Sequence, residues 1–267
     1  MQYITLNNGI KMPILGLGVY QLQGKECEQC ILDAIELGYR LFDTAQMYGN
    51  EKAVGAAIKK SSVPREELFI TTKLYRPSNS YQKAKKDIEV SLKNLQLDYI
   101  DLFLIHEPYS HSIEMYQALE EAYHNGKIKA IGVSNYNASQ YKKLLKLCKV
   151  IPAINQVECH IFYQQNNLNS LLSESKTVME AWSPLAAGKN NIFNQYTLME
   201  IGKKYRKTAA QIGLKYLIQK QIPVIPKTSH QHRMKENIDI FDFNLSKADM
   251  SELSQLDQNK SLFGWYD

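Results

Sequence analysis

The chain is expected to fold as a parallel α/β domain of barrel size, and three observations point there. Strand-like hydrophobic runs alternate with segments of helical periodicity, the order that gives a parallel sheet with right-handed crossovers. No Pro/Gly/Ser-rich linker or break in composition divides the 267 residues, 44% of which are hydrophobic, so residues 1–267 read as one domain. Several of the hydrophobic runs also finish on polar residues with proton chemistry. In parallel α/β folds the carboxyl ends of strands are where loops converge and chemistry is assembled.

Taken in order, Thr5 to Met12 alternates around Asn8-Gly9, a strong short hairpin signal. Leu15 to Val19 is the expected first barrel strand. Tyr20 at its end is a candidate wall of a substrate pocket, or equally a half-buried loop aromatic. Lys25 to Gly38 carries Ile31, Leu32 and Ile35 at mostly helical spacing, with Gly38 as the stop. Leu41 and Phe42 then end a buried strand at Asp43. The loop continues through Tyr48, and Asn50 is the expected N-cap of the next helix. An Asp in such a place often only caps a turn. Here it has company, because Leu68–Lys73 and Ile100–His106 are strand-like runs that close on Lys73 and His106. Helices are expected over about Tyr81–Leu95 and Ile113–Asn125.

The second half repeats the alternation. A strand within Lys127–Tyr136 ends on Ser134-Asn135, which suits a ligand bearing a carboxamide or caps the helix after Asn137. Ala153–Val157 contains Gln156, a further amide, and Thr177–Leu185 contains Trp182, either core or a ligand platform. The last strand, Ile222–Ile225, precedes Lys227, Thr228 and Arg233. Together with a helix amino terminus, these offer a point charge, a hydroxyl and a planar fork to a phosphate. The closing helix is expected over about Ala248–Leu256, followed by an aromatic tail.

These positions carry a family resemblance. Gly-Tyr-Arg, a hydrophobic pair, Asp43, a small pair and then Glu51 and Gly55 match the first signature of the aldo-keto reductases. Lys127–Tyr136 and Pro226–Asn237 resemble the second and third. The likeness covers nearly the whole chain and implies a (β/α)8 TIM barrel whose amino-terminal mouth is closed by the β-hairpin. It further implies hydride transfer from NADPH to an aldehyde or ketone. Tyr48 would act as proton donor, supported by Lys73 and Asp43, with His106 orienting the carbonyl. By the same resemblance Ser134, Asn135 and Gln156 hold the nicotinamide amide, and Trp182 lies against its ring. Ser183 and Leu185 meet the pyrophosphate side, Lys227, Thr228 and Arg233 take the 2′-phosphate, and Glu236 and Asn237 face the adenine. Tyr20, Glu107 and Trp265 are the expected substrate contacts. One departure stands out: after His106 the family usually has Trp then Pro, and here Glu107 precedes Pro108. A barrel that binds NADPH but serves as a redox-sensing or regulatory subunit is the alternative.

Composition excludes other classes. Lys and Arg number 32 against 27 Asp and Glu, a mild excess spread over presumed helix surfaces and no nucleic-acid footprint. The amino terminus has no signal-peptide pattern and no run is long enough to span a membrane, so a cytoplasmic protein is expected, and by resemblance a monomer. Cys27, Cys30, Cys148 and Cys159 make no disulfide framework, and the Cys27/Cys30 spacing reads as an ordinary helix. His230 and His232 would face opposite ways in a strand and align poorly on a helix, so no metal site is expected. No Gly-x-Gly-x-x-Gly fingerprint follows any strand, which leaves a nucleotide to be held by barrel loops.

Overall fold

The computed structural model describes residues 1–264. Two short strands, β1 (Tyr3–Thr5) and β2 (Lys11–Pro13), pair antiparallel. The turn between them is wider than the expected two-residue Asn-Gly loop. Leu6 N donates to Ile10 O and Gly9 N to Leu6 O, with Gly9 at φ 87°, so glycine supplies the left-handed residue of a longer connection.

The parallel strands follow with helices between them. β3 (Leu17–Gly18), β4 (Leu41–Asp43), β5 (Phe69–Leu74), β6 (Ile100–Ile105), β7 (Ile128–Ser134), β8 (Ile154–Glu158) and β9 (Val178–Trp182) form one sheet in chain order. The crossovers are α1 (Gly24–Glu36), α2 (Glu51–Lys60), α3 (Tyr81–Leu95), α4 (Ser112–His124), α5 (Ala138–Leu145) and α6 (Asn166–Glu174). α7 (Tyr196–Tyr205), α8 (Ala209–Gln219), α9 (Gln231–Ile238) and α10 (Lys247–Ser254) complete the ring. Cap chemistry fixes several boundaries: Asn137 with Gln140, Thr208 with Gln211 and Ser246 with Asp249 form capping boxes for α5, α8 and α10. Asn50 departs from expectation. It precedes α2 but makes no cap bond; its amide instead donates to the carbonyls of Val19 and Leu22, tying the first strand's loop to the second's.

The expected eighth strand, Ile222–Ile225, closes the sheet through isolated bridges rather than a continuous ladder. Val224 bridges Leu15 on one side and Ala181 on the other, and Lys227 bridges Gly18. Pro223 and Pro226 have no N–H to give, which interrupts the ladder at this position. The result is a closed (β/α)8 barrel.

Strand periodicity then sorts the side chains. Leu41, Phe69, Leu102, Leu104, Ala130, Ile154 and Ile225 point inward at the lower level and pack with Leu6 and Met12 of the hairpin. Phe42, Ile70, Phe103, Ile105, Ile131 and Val133 point outward into the core shared with the helices. Gly132 is needed inside, since a Cβ there would stand 2.5 Å from Ile154 O. Two or four residues above the lower apolar layer, the same inward face brings Asp43, Lys73, His106, Ser134, Gln156 and Glu180 toward the carboxyl end.

Candidate active site

Asp43 ends β4, Lys73 lies near the end of β5, and His106 follows β6 directly. Tyr48 closes a 3₁₀ turn, Gln46–Tyr48, which reverses the chain before α2. The ammonium of Lys73 donates to Asp43 Oδ1 at 2.6 Å and to the Thr44 carbonyl at 3.0 Å, with side-chain exposures of 0% for Lys73 and 3% for Asp43. Lys73 Nζ lies 5.1 Å from the centre of the Tyr48 ring. The His106 ring stands edge-on to Tyr48 at 5.6 Å, and Tyr20 leans on the other side at 4.9 Å. The four residues expected to handle protons therefore form one cluster.

Electrostatics give each a distinct state. Burial is the largest influence on Lys73 and lowers its pKa, but Asp43, Tyr48 and the bond to Asp43 outweigh it, so the net direction is up and the ammonium keeps its proton. Burial also pushes the Tyr48 phenol up, and the charge and hydrogen bonding of Lys73 pull against it without prevailing. Lys73 thus supports Tyr48 in the expected sense, by favouring its phenolate, yet desolvation wins and the phenol holds its proton. Burial and the nearby Lys73 charge push the His106 imidazole down to about 3. It is therefore neutral at physiological pH.

A cavity of about 780 Å³ opens above this cluster and runs to the rim at α9. Tyr48, Asp43 and His106 lie at one end, with Ser134, Asn135, Gln156, Trp182, Ser183 and Leu185 along the wall. Lys227, Thr228, Arg233, Glu236 and Asn237 line the far end. Lys227 and Arg233 are exposed, whereas Thr228 and Asn237 are buried. The wall is ordered by its own bonds. Ser134 Oγ donates to Gln156 O at 2.8 Å, Asn135 Nδ2 to His106 O at 3.1 Å, and Trp182 Nε1 to Asn135 Oδ1 at 2.8 Å. Gln156 Nε2 donates to both Asp43 Oδ2, at 2.8 Å, and Glu180 Oε2, at 2.9 Å. A nicotinamide dinucleotide fits this donor set. The Gln156 amide has used its N–H groups and keeps an acceptor for a carboxamide, a half-buried indole offers a flat face, and cations wait at the opposite end for phosphate. Asn135 and Ser183 sit at φ 62° and 47°, the left-handed backbone through which the chain turns along the wall.

Other expectations need correction. Glu107 does not line this cavity. It borders another one of about 420 Å³ together with Arg76, Asn79, Tyr109, Ser110, His111 and Met115, on the bend that follows β6. Burial raises the Glu107 pKa while Arg76 opposes the rise. Trp265 lies outside the described residues. His230 and His232 do not diverge but stack, centroids 5.6 Å apart, at the start of α9. Cys27 and Cys30 face inward from α1 as free thiols, and burial pushes Cys27 up to about 12. Among the described residues, sequence reasoning missed Met47, Phe193 and Phe263 on the cavity and Glu180 beneath it. A signal for the last exists: Glu180 is the one acid in Val178–Trp182 and shares its face with Trp182.

The segment Ala186–Asn194 is irregular. Left-handed backbone recurs at Ala187, Gly188, Asn190 and Asn191. Lys189 pins it to the chain's end, donating to Leu262 O at 2.6 Å and lying 4.2 Å from the centre of the Phe263 ring. Phe263 in turn packs edge-on against Trp182 at 5.3 Å.

Comparison with known proteins agrees with this geometry. Residues 14–258 match the model of the Aldo/keto reductase family. The chain is 42% identical to methylglyoxal reductase DkgA of Escherichia coli (strain K12), covering 97% of this chain and 94% of that one. It is 40% identical to the 9,11-endoperoxide prostaglandin H2 reductase of Trypanosoma cruzi (strain CL Brener), covering 98% and 93%. Among solved structures, MGS-M4, an aldo-keto reductase enzyme from a Medee basin deep-sea metagenome library, superposes with a TM-score of 0.97. That match has 40% identity and covers 99% and 98% of the two chains. With a matching family model over most of its length and full-length relatives at these identities, the chain belongs to the aldo/keto reductase family.

Proposed function

We propose that the protein reduces small aldehydes and ketones to alcohols with NADPH, with Tyr48 as the proton donor. The observation that carries this reading is the buried Tyr48–Lys73–Asp43 arrangement opening beside neutral His106 into the cavity. As a member of the family the protein is an oxidoreductase that uses a nicotinamide cofactor and acts on carbonyls.

A nicotinamide cofactor held along Ser134, Asn135, Gln156 and Trp182 would supply a hydride for the carbonyl carbon. As that bond forms, the carbonyl π electrons move to oxygen, and the Tyr48 hydroxyl proton passes to it. Burial keeps that proton on the phenol in the resting protein, as a donor requires. The Lys73 ammonium then stabilises the phenolate left behind, and Asp43 keeps the ammonium charged and aimed. His106 is suited to donate a hydrogen bond to the substrate oxygen, because a neutral imidazole still carries one N–H. Its Nδ1 is buried without a partner among the described residues, which leaves Nε2 for the ligand.

Lys227 and Arg233 support NADPH over NADH, since a 2′-phosphate rewards a fork and a point charge. Tyr20, Met47 and Phe263 would border the substrate. The relatives carry different named activities at similar identity, so the substrate question falls to these contacts, and methylglyoxal is the first compound to try. The test is consumption of NADPH, followed by absorbance, with methylglyoxal, an aromatic aldehyde and a keto-sugar acid. Carbonyl-dependent consumption that disappears in Tyr48→Phe supports the reading. Tight NADPH binding without consumption by any of them would overturn it in favour of a regulatory role.

A further inference from the structure

We propose that Glu180 is a positioning residue for this reduction, holding the Gln156 amide so that its oxygen meets the nicotinamide while Asp43 stays committed to Lys73. The inference deepens the reading above and rests on it. Glu180 lies on β9, its side chain in the barrel between the lower apolar layer and Trp182, and it is fully buried. Buried carboxyls without a basic partner are rare, because the charge is costly to desolvate. The direct partner of this one is an amide. Gln156 Nε2 has two hydrogens and two acceptors, Asp43 Oδ2 at 2.8 Å and Glu180 Oε2 at 2.9 Å. That double engagement fixes which way the amide points, since reversing it would turn an oxygen onto the Asp43 carboxylate and give up the bond from Nε2 to Glu180. Asp43 consequently offers Oδ1 to Lys73 and Oδ2 to Gln156, and no freedom of rotation is left to it.

The network runs from Glu180 through Gln156 and Asp43 to Lys73, and Lys73 borders Tyr48. The charged groups acting on Glu180 are Asp43 from β4 and Lys73 from β5. β8 contributes neutral Gln156, and the chain at the eighth position contributes Val224 through its bridge to Ala181. Burial, then the Asp43 charge, push the Glu180 carboxyl up to about 8, against the pull of Gln156 and Lys73. At neutral pH Glu180 is thus an uncharged acid, which lets it sit beside Asp43 without repulsion. Its Oε1 is buried and has no partner among the described residues. Above that pH a second anion forms below the cluster. It opposes the build-up of negative charge on Tyr48 as the phenol gives up its proton, so reduction slows.

Two variants and two ligands test this. Glu180→Gln keeps the shape and an acceptor for Gln156 but cannot ionise. Glu180→Leu removes the acceptor. In the wild type kcat/KM for methylglyoxal should fall with a midpoint near 8. In Glu180→Gln that midpoint should move up by about one unit or more, with neutral-pH activity within about threefold of wild type. By calorimetry Glu180→Leu should bind NADP+ about tenfold more weakly, as expected for loss of one oriented hydrogen bond. It should bind 2′,5′-ADP, which lacks the nicotinamide, as the wild type does, a control for folding. Wild-type NADP+ affinity in Glu180→Leu, or an unmoved midpoint in Glu180→Gln, would overturn the proposal. A wild-type protein that binds NADP+ but reduces no carbonyl would count against the reductase reading instead, and calorimetry would still decide the part assigned to Glu180.

Discussion

The two ends of this barrel are made from the same strands and could hardly differ more. At the amino-terminal end Leu41, Phe69, Leu102 and Ile154 meet Leu6 and Met12 in an apolar layer. Two residues further along, the same strands present Asp43, Thr71, Leu104 and Gln156, and beyond these come Lys73 and His106. Backbone conformation follows the divide. At the lower end, a left-handed residue such as Gln96 is a single helix-terminating cap. At the upper end they recur within one segment, at Ala187, Gly188, Asn190 and Asn191. One end is packed for stability, while the other holds ionisable groups in a dry setting where burial sets their protonation states.

The largest expected effect at the upper end is on rate. Tyr48→Phe should lower turnover by about 10²–10⁴-fold while leaving NADP+ affinity unchanged, read by steady-state kinetics beside calorimetry. Asp43→Asn strikes both properties, because it leaves the Lys73 ammonium buried without its counter-charge. Denaturant titration should show a loss of about 3–5 kcal/mol, accompanied by lost activity. At the lower end Met12→Ala should reduce stability by about 2–5 kcal/mol with kcat unchanged where the protein remains folded. A drop in kcat there would show that the two ends are coupled.

Smaller effects sharpen the picture of the upper rim. Arg233→Ala should weaken NADPH by about 1.5–3 kcal/mol and leave the KM for NADH as it was, a split that a general loss of structure would not produce. Glu107→Trp should alter the ranking of carbonyl substrates by no more than about 0.5 kcal/mol, because Glu107 borders the other cavity. A reordered substrate panel would instead join the two cavities functionally.

Much of this was legible before any coordinates. Strand runs ending on Asp43, Lys73 and His106 announced themselves because parallel strands place their carboxyl ends together, and the α3 boundaries fall where the periodicity puts them. What escaped reading depends on distance in space. Pro223 and Pro226 were visible, but that they break the eighth ladder follows only from which neighbours would have paired there. Asn50 looked like a cap, and its preference for the Val19 and Leu22 carbonyls arises from a loop far away in sequence. The rise of the Tyr48 pKa needed the depth of burial, which no motif encodes. Glu107 was misplaced for a simpler reason: β6 ends at Ile105, and adjacency to His106 across the bend that follows does not bring the two side chains to one cavity.

The hairpin at the lower mouth also governs traffic. Leu6 and Met12 fill the opening, and Asn7 and Asn8 fasten it through the carbonyls of Pro152 and Lys129. The lower mouth of the barrel is therefore filled, and the cavity lies at the upper end. A ligand against Gln156 and Trp182 would share that space with anything held between Tyr20, Met47 and Phe263. A five-residue turn, at the opposite end of the molecule from the chemistry, thus sets which end of the barrel is left open to ligands.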